Sequence, residues 1–378
     1  MFATPRLVAH SFNWQCKRVA ISNVFGIQLG GRRTYTTTLN VKEKDELHTG
    51  DRYASIPDRS LLEIQGPDTA KFLQGLITNN MPSIAQGGDG FFTSFLTPQG
   101  RMLYDAFIYP INDGNEFPQP KFMIECASTA TTGLLKHLKR YILRSKVKVR
   151  DATEEYKLWS IWGDGLTTMN VDNRFSNIGC VDPRVPGFGY RAILPQDQDI
   201  GSILSSKGDF KELPSSEYTI RRILHGIPEG VTDLVPEHAL PLESNFDYMN
   251  GVNFNKGCYL GQELTIRTHH TGVVRKRIVP VQFYKKDESV PSSLQVDRAS
   301  SYWPSPLEPQ MDIKRADGAS KRSVGKLGSG IHNIGLALMR LEHIKPEVQF
   351  AVPSATDMQL QPFIPEWWPK EEEEKQHQ

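Results

Sequence analysis

The order of apolar patterns between residues 59 and 142 constrains the fold of this chain more than any other feature. Short apolar runs typical of strands occur at 59–65, 91–96, 103–109 and 121–127. Apolar residues at helical spacing occupy 72–77 and 134–142. Pro98-Gln99-Gly100 lies between the second and third predicted strands and predicts a hairpin turn. This alternation of strands and helices indicates an α/β or α+β domain.

The C-terminal part has a different pattern. The segment 284–325 is rich in Ser, Pro, Lys and Asp and has little periodicity, which predicts a long loop. A strand is predicted at Ile334–Arg340, and a small β-rich domain is expected from about 280 to 369. Glu371–Glu374 begin a charged tail that should be disordered over 370–378. With 378 residues, two or three domains are expected.

The N-terminal segment has the composition of an organelle-targeting peptide. Residues 1–42 contain basic, Ser and Thr residues but no acid, since Glu43 is the first. A secretory signal would need one compact apolar core, which is absent from the sequence. The run Arg33-Thr34-Tyr35-Thr36 resembles a cleavage site of the matrix protease. We therefore predict a mitochondrial transit peptide over 1–35 and a location in the matrix.

Charge and cysteine content exclude several classes of protein. After loss of 1–35 the chain has 39 Lys and Arg against 43 Asp and Glu, a net charge of −4, which disfavours nucleic acid as a partner. No apolar run approaches the ~20 residues of a membrane span. The four cysteines form no Cys-x-x-Cys pair, which disfavours a self-contained zinc or iron–sulfur site.

Cys258 lies in the densest stretch of unusual chemistry. Gly257 precedes it and Gly261 follows, and glycines allow close approach of a ligand or partner. If a helix begins at Tyr259, its dipole and Lys256 would both favour the thiolate. A small buried cysteine is the alternative, and the local sequence leaves the two interpretations equally open.

The run Lys-Gly-Cys-Tyr-Leu-Gly-Gln-Glu at 256–263 resembles the motif K-G-C-Y/F-x-G-Q-E of the folate-binding proteins of the YgfZ type. These are relatives of the glycine-cleavage T-protein aminomethyltransferases. Further segments resemble the mitochondrial branch of this family, the assembly factors for four-iron, four-sulfur clusters. They are 96–105, 225–230, 240–245, 268–272 and 365–369.

The resemblance implies a tripartite, ring-like α+β fold. Two α+β lobes would form an aminomethyltransferase-like, folate-binding-type domain over 36–280, and a C-terminal β-barrel would cover 281–369. It implies a role late in cluster assembly, with A-type scaffold proteins as partners and ferredoxin as a possible electron source. The family's thiol corresponds to Cys258. Because a four-iron cluster needs about four thiolates, this chain could supply one ligand to a cluster shared transiently with a partner.

A folate-dependent aminomethyl transferase is the alternative function. Gly100–Asp105 aligns with the T-protein segment that ends in its folate-centre aspartate, so Asp105 would be central. However, the T-protein pattern R-x-E-x-G has its glutamate replaced by Leu224, which cannot accept the hydrogen bonds of a pterin. Tetrahydrofolate binding remains possible and catalysis is not expected. The candidate binding residues are Arg101, Tyr104, Asp105, Lys256, Gly257, Cys258, Gly261, Gln262, Glu263 and Arg267.

Residues 136–150 carry seven basic residues and no acid. This surface would suit a polyglutamate tail of folate, an acidic scaffold protein or RNA, whereas a solvated helix face is the simplest interpretation.

Overall fold

The computed structural model describes residues 50–111, 120–163, 166, 176–318 and 322–370. The predicted transit peptide, Cys16 and the predicted acidic tail beyond Lys370 lie outside these ranges.

The first lobe is a five-stranded antiparallel sheet with two helices on one face. In spatial order its strands are β3 (Phe91–Leu96), β4 (Met102–Pro110), β5 (Lys121–Ala127), β2 (Arg59–Gln65) and β6 (Lys148–Asp151). The helices are α1 (Thr69–Gln74) and α2 (Thr131–Ile142). Leu134 and Leu138 of α2 are buried in the core on this face, as the helical spacing predicts.

Helix α1 is shorter than its apolar pattern predicts. It ends at Gln74, where Gly75 forms the C-cap, and Leu76 and Ile77 follow outside the helix. Both side chains are nevertheless buried, and Ile77 forms an isolated β-bridge with Phe95. Burial, rather than helix formation, therefore accounts for these two apolar positions.

The second lobe is a mixed five-stranded sheet that includes the first strand of the described chain. Its spatial order is β10 (Lys211–Glu212), β1 (Arg52–Ser55), β7 (Tyr156–Trp162), β9 (Tyr190–Pro195) and β8 (Ile178–Val181). Its helices are α3 (Ile200–Ser205), α4 (Ser215–Leu224) and α5 (Gly230–Asp233). Strand β1 pairs antiparallel with β7, so the chain enters this sheet before it forms the first lobe.

The C-terminal part is a closed six-stranded barrel, which follows helix α6 (Gln262–Thr271). Its strands are β11 (Lys276–Lys285), β12 (Asp312–Arg315), β13 (Gly325–Ile331), β14 (Ile334–Arg340), β15 (Phe350–Val352) and β16 (Ala355–Pro362). The structure differs from the predictions in two respects. The barrel begins at Lys276 rather than at 281, and the segment 284–325 contains strand β12 because Ile313 is fully buried in the barrel core.

A network of buried ion pairs connects the two lobe sheets. Arg191 on β9 donates to Glu125 on β5 at 2.5 Å and to the hydroxyl of Tyr109 on β4 at 3.1 Å. Asp182 accepts from both Arg191 and Arg184, at 3.3 and 2.7 Å. The Arg184 and Arg191 side chains are completely buried. The pairing offsets the large cost of removing these charges from water.

Candidate functional site

Cys258 lies in an exposed loop immediately before helix α6. The helix begins at Gln262 with Gly261 as its N-cap, so the condition of a helix starting at Tyr259 is not met. The thiol of Cys258 is therefore not at the helix N-terminus. Cys258 is exposed, whereas Cys126 and Cys180 are buried. The buried-cysteine alternative thus does not apply to Cys258.

Lys256 has a structural role that the sequence does not reveal. Its ammonium group donates to the carbonyl oxygens of Gln74, Ile77 and Asn79 at 2.8, 2.6 and 2.7 Å. These carbonyls belong to the C-terminal end of α1 and the chain just after it. Burial lowers the pKa of Lys256 to about 7, while the three acceptors use all three ammonium protons. Lys256 therefore anchors the loop to α1, and the prediction that it acts on the thiol is not supported by its contacts.

Two glycines place the Cys258 loop directly against the β3–β4 hairpin turn. Gly261 has φ +78°, and a Cβ atom there would lie 2.2 Å from the carbonyl oxygen of Thr97. Gly100 in the turn has φ +81°, and its Cβ would lie 2.8 Å from the carbonyl oxygen of Gly261. Gly257 differs, because a Cβ atom there would meet nothing within 4 Å. The fold requires glycine at 261 and 100, and leaves open space beside Cys258 at 257.

The two glycines of the loop should respond differently to alanine. Gly261→Ala should lower the free energy of unfolding by about 2–4 kcal/mol, because it combines a strained positive φ with a backbone clash. Gly257→Ala should change it by less than about 0.5 kcal/mol and serves as the matched control. Urea unfolding of both variants measures the difference, and equal stabilities would contradict the packing described for this loop.

Of the remaining motif residues, some position the loop and others are exposed to solvent. The amide of Tyr259 donates to the side-chain oxygen of Gln262 at 3.3 Å, which links the loop to the first turn of α6. Glu263 and Arg267 are exposed, one helical turn apart on α6. Gln262 thus shapes the loop, while Glu263 and Arg267 are exposed on the surface of α6.

Asp105 is part of the buried network. Its Oδ2 accepts from Arg59 at 2.8 Å and its Oδ1 accepts from the amide of Gly230 at 3.1 Å. Only 2% of the Asp105 side chain is exposed. Arg59 also donates to Glu125 at 2.7 Å, which joins Asp105 to the ion pairs between the sheets. Both carboxylate oxygens are therefore already bonded within the protein.

Tyr104 and Arg101 do not share the buried environment of Asp105. Neighbouring residues of a strand point to opposite faces, so Tyr104 faces α2 while Asp105 faces the second lobe. A Cβ atom on Gly133 would lie 2.1 Å from the Tyr104 hydroxyl, so this glycine makes room for the ring. Arg101 is exposed and donates to the carbonyl oxygen of His238 at 2.9 Å. The ten predicted residues thus do not form one pocket.

The buried network is not among the features predicted from the sequence. Its members include Arg59, Glu125, Asp182, Arg184, Arg191 and Glu229. The available signal was a single charge inside an apolar strand, as with Glu125 in Phe-Met-Ile-Glu-Cys and Arg191 in Tyr-Arg-Ala-Ile-Leu. Buried charges of this kind need partners, so such positions predict pairing across the interior.

Comparison with known proteins identifies the family. The domain described as "CAF17, C-terminal beta-barrel domain" matches residues 275–370, and the "GCVT N-terminal domain" matches 44–165. The mitochondrial iron–sulfur cluster assembly factor IBA57 homolog of Neosartorya fischeri is 44% identical over 318 residues, covering 77% of this chain and 70% of that protein. The homolog of Mycosarcoma maydis is 34% identical over 374 residues, covering 90% and 91%. The chain belongs to the IBA57 family of mitochondrial iron–sulfur cluster assembly factors.

The IBA57 assignment confirms the resemblance inferred from the 256–263 motif, and it confirms a mitochondrial location. The glycine cleavage system aminomethyltransferase T from Bartonella henselae has a similar fold, with a TM-score of 0.59 at 13% identity, covering 85% of this chain and 87% of that one. This likeness confirms the aminomethyltransferase-type α+β fold. No helix within the described ranges is long and apolar enough to cross a membrane.

Proposed function

We propose that this protein assists late formation of four-iron, four-sulfur clusters in the mitochondrial matrix, with the thiolate of Cys258 as one ligand of a cluster shared with an A-type scaffold protein. The observation that carries the proposal is the exposure of Cys258 on a loop held firmly by Lys256 and Gly261. A fixed, accessible thiol can meet a cluster presented on the surface of another protein.

The other two cysteines of the described chain are unsuited to this role. Burial raises the pKa of Cys126 to about 12 and raises that of Cys180 well above its ordinary value. Both therefore remain protonated thiols at neutral pH, whereas iron binds the thiolate. Within the described ranges, no three His, Cys, Asp or Glu side chains come together as a metal site. This supports a cluster whose further ligands come from the partner.

Formation of a four-iron cluster also needs a source of electrons. Joining two two-iron clusters into one four-iron cluster consumes electrons, and the described residues offer thiols but no redox pair of cysteines. We therefore include a ferredoxin as electron donor to the assembly. Protein partners of this kind agree with an assembly role, whereas nucleic acid is disfavoured by the acidic net charge after removal of 1–35.

The residues around Asp105 do not fit tetrahydrofolate. A pterin would have to reach a carboxylate acceptor, but only 2% of the Asp105 side chain is exposed, and the carboxylate is held by Arg59 and the amide of Gly230. Leu224 packs partly buried against the large core where the T-protein pattern has a glutamate. We therefore derive no folate chemistry at this position. The protein is proposed to act as a non-enzymatic assembly factor, and the folate-dependent transferase is not supported by these contacts.

Stable association with the scaffold should depend on the cluster. We expect the mature protein and an A-type scaffold to co-elute in anaerobic size-exclusion chromatography when the scaffold carries its cluster, with iron and sulfide in the shared peak. Removing iron with a chelator should separate most of the complex, because the bond through Cys258 is lost. A complex equally stable with and without iron would contradict the shared-cluster proposal.

A further inference from the structure

A cavity of about 720 Å³ lies on the outer side of the first lobe, between α2 and the β3–β4 turn. Its size is within the range of ligand-binding clefts. Its walls include the turn residues Thr97, Pro98, Gln99 and Arg101, the strand residues Leu103 and Tyr104, and the α2 residues Gly133, Lys136, His137, Arg140 and Tyr141, with Glu237 at one side. It is separate from Asp105, which faces the opposite side of the sheet.

The cavity is predominantly basic. Lys136 and Arg140 lie one helical turn apart on the exposed face of α2 and form no ion pair with any described residue. Arg101 adds a third cation, held by the carbonyl oxygen of His238. Arg150, on the neighbouring strand β6, differs because it is already paired with Glu63. Glu237 in the lining offsets part of this charge, which leaves three cations against one carboxylate to attract an external anion.

His137 supplies an unused polar atom in the same place. Its Nε2 is buried and has no hydrogen-bond partner among the described residues. Burial and the nearby Arg140 lower the pKa of His137, so its ring is neutral at pH 7. The ring is packed between Phe95 and Tyr141, with centroids 6.0 and 5.0 Å away. A buried polar atom without a partner is costly, and an incoming polar group would satisfy it.

The cavity adjoins the loop that carries Cys258. The turn residues that line it are continuous with Gly100, which touches Gly261 in that loop. At the far end of α2, Leu143 is 87% exposed, next to Arg144, which forms no ion pair with any described residue. Because the cations lie beside the turn that touches the Cys258 loop, an anion bound by them would lie next to any protein that meets the thiol. A concave cavity also suits inserted side chains better than a flat lipid surface.

From these contacts we infer that the cavity and its rim of cations bind carboxylate side chains of the protein partner that meets Cys258. This rests on the proposed function and extends it, because it assigns a docking surface to a partner with an acidic face. Lys136, Arg140 and Arg101 would orient the partner before any cluster is shared. The same carboxylate chemistry occurs in the polyglutamate tail of folate, and the experiment separates the two sources.

The test measures binding of cluster-free A-type scaffold to the mature protein, so that it does not depend on the thiol. The variant K136E/R140E should raise the dissociation constant about tenfold or more, because two cations that attract the partner's carboxylates are replaced by two carboxylates that repel them. The control K285E/K286E makes the same charge change at the exposed last residue of β11 and the residue after it, and should stay within about twofold. Raising the salt from about 50 to about 300 mM should weaken binding of the unaltered protein far more than that of K136E/R140E.

Each contrary result has a defined meaning. Equal binding by K136E/R140E and the unaltered protein, equal losses in both double variants, or no binding of the unaltered protein would overturn the docking inference. Saturable binding of tetrahydrofolate pentaglutamate that is lost in K136E/R140E, without loss of scaffold binding, would assign the cavity to folate instead. If K136E/R140E binds the scaffold as tightly as the unaltered protein and Cys258→Ser abolishes cluster sharing, the docking inference fails while the proposed function stands.

Discussion

Changing Arg191 to methionine should lower the free energy of unfolding by about 3–5 kcal/mol. The guanidinium is completely buried and joins Glu125 on one sheet to Asp182 beside the other. Burial alone would lower the pKa of Arg191. Glu125 and the other partners of the guanidinium nevertheless raise this pKa well above its ordinary value. Methionine preserves much of the volume but leaves carboxylates in the interior with too few cations.

The matched control is Arg340→Met on barrel strand β14. Arg340 is 41% exposed and lies 3.8 Å from an exposed Glu342, so its removal should cost less than about 1 kcal/mol. Guanidinium chloride unfolding, followed by circular dichroism, measures both variants. A loss for Arg191→Met no larger than that for Arg340→Met would show that the buried network does not stabilise the contact between the sheets.

Replacing Cys258 with serine should abolish support of four-iron enzymes while leaving the fold intact. Cys258 is exposed, so the substitution removes no core packing, and the melting temperature should stay within about 2 °C. Serine is a poor iron ligand at neutral pH, because its hydroxyl remains protonated. In cells whose only copy carries Cys258→Ser, aconitase activity should fall to the level of cells that lack the protein.

Cys126→Ala provides the cysteine control. Cys126 is fully buried on β5, so alanine should reduce stability modestly and leave aconitase activity close to normal. Normal aconitase activity with Cys258→Ser would remove the role proposed for the thiol, and equal losses in both variants would point to a defect of folding.

The local elements were predictable because their signals are local. The strands at Arg59–Gln65, Phe91–Leu96 and Lys121–Ala127 have the bounds that their apolar patterns predict, since each strand is paired on both sides or packed on both faces. The closed barrel was expected only from the family resemblance. Its strand β12 was not predicted, because the surrounding segment is polar and only Ile313 marks the buried position.

Long-range contacts account for what the sequence did not reveal. The carbonyl acceptors of Lys256 lie 177 to 182 residues earlier in the chain, so its anchoring role has no local signature. Tyr104 and Asp105 were predicted to share one site because both lie in the segment that aligns with the T-protein, although strand geometry points them to opposite faces. The position of the Cys258 loop also depends on a long-range contact. Gly261 in the loop packs closely against Gly100 in the β3–β4 turn.

Alkylation of Cys258 in the assembled complex tests the central claim most directly. In the free protein, iodoacetamide should modify Cys258 and leave the buried Cys126 and Cys180 unmodified, as read by mass spectrometry. In the cluster-containing complex with an A-type scaffold, Cys258 should be protected, and removal of iron should restore its reactivity. Unchanged reactivity of Cys258 while the complex holds its cluster would contradict the account.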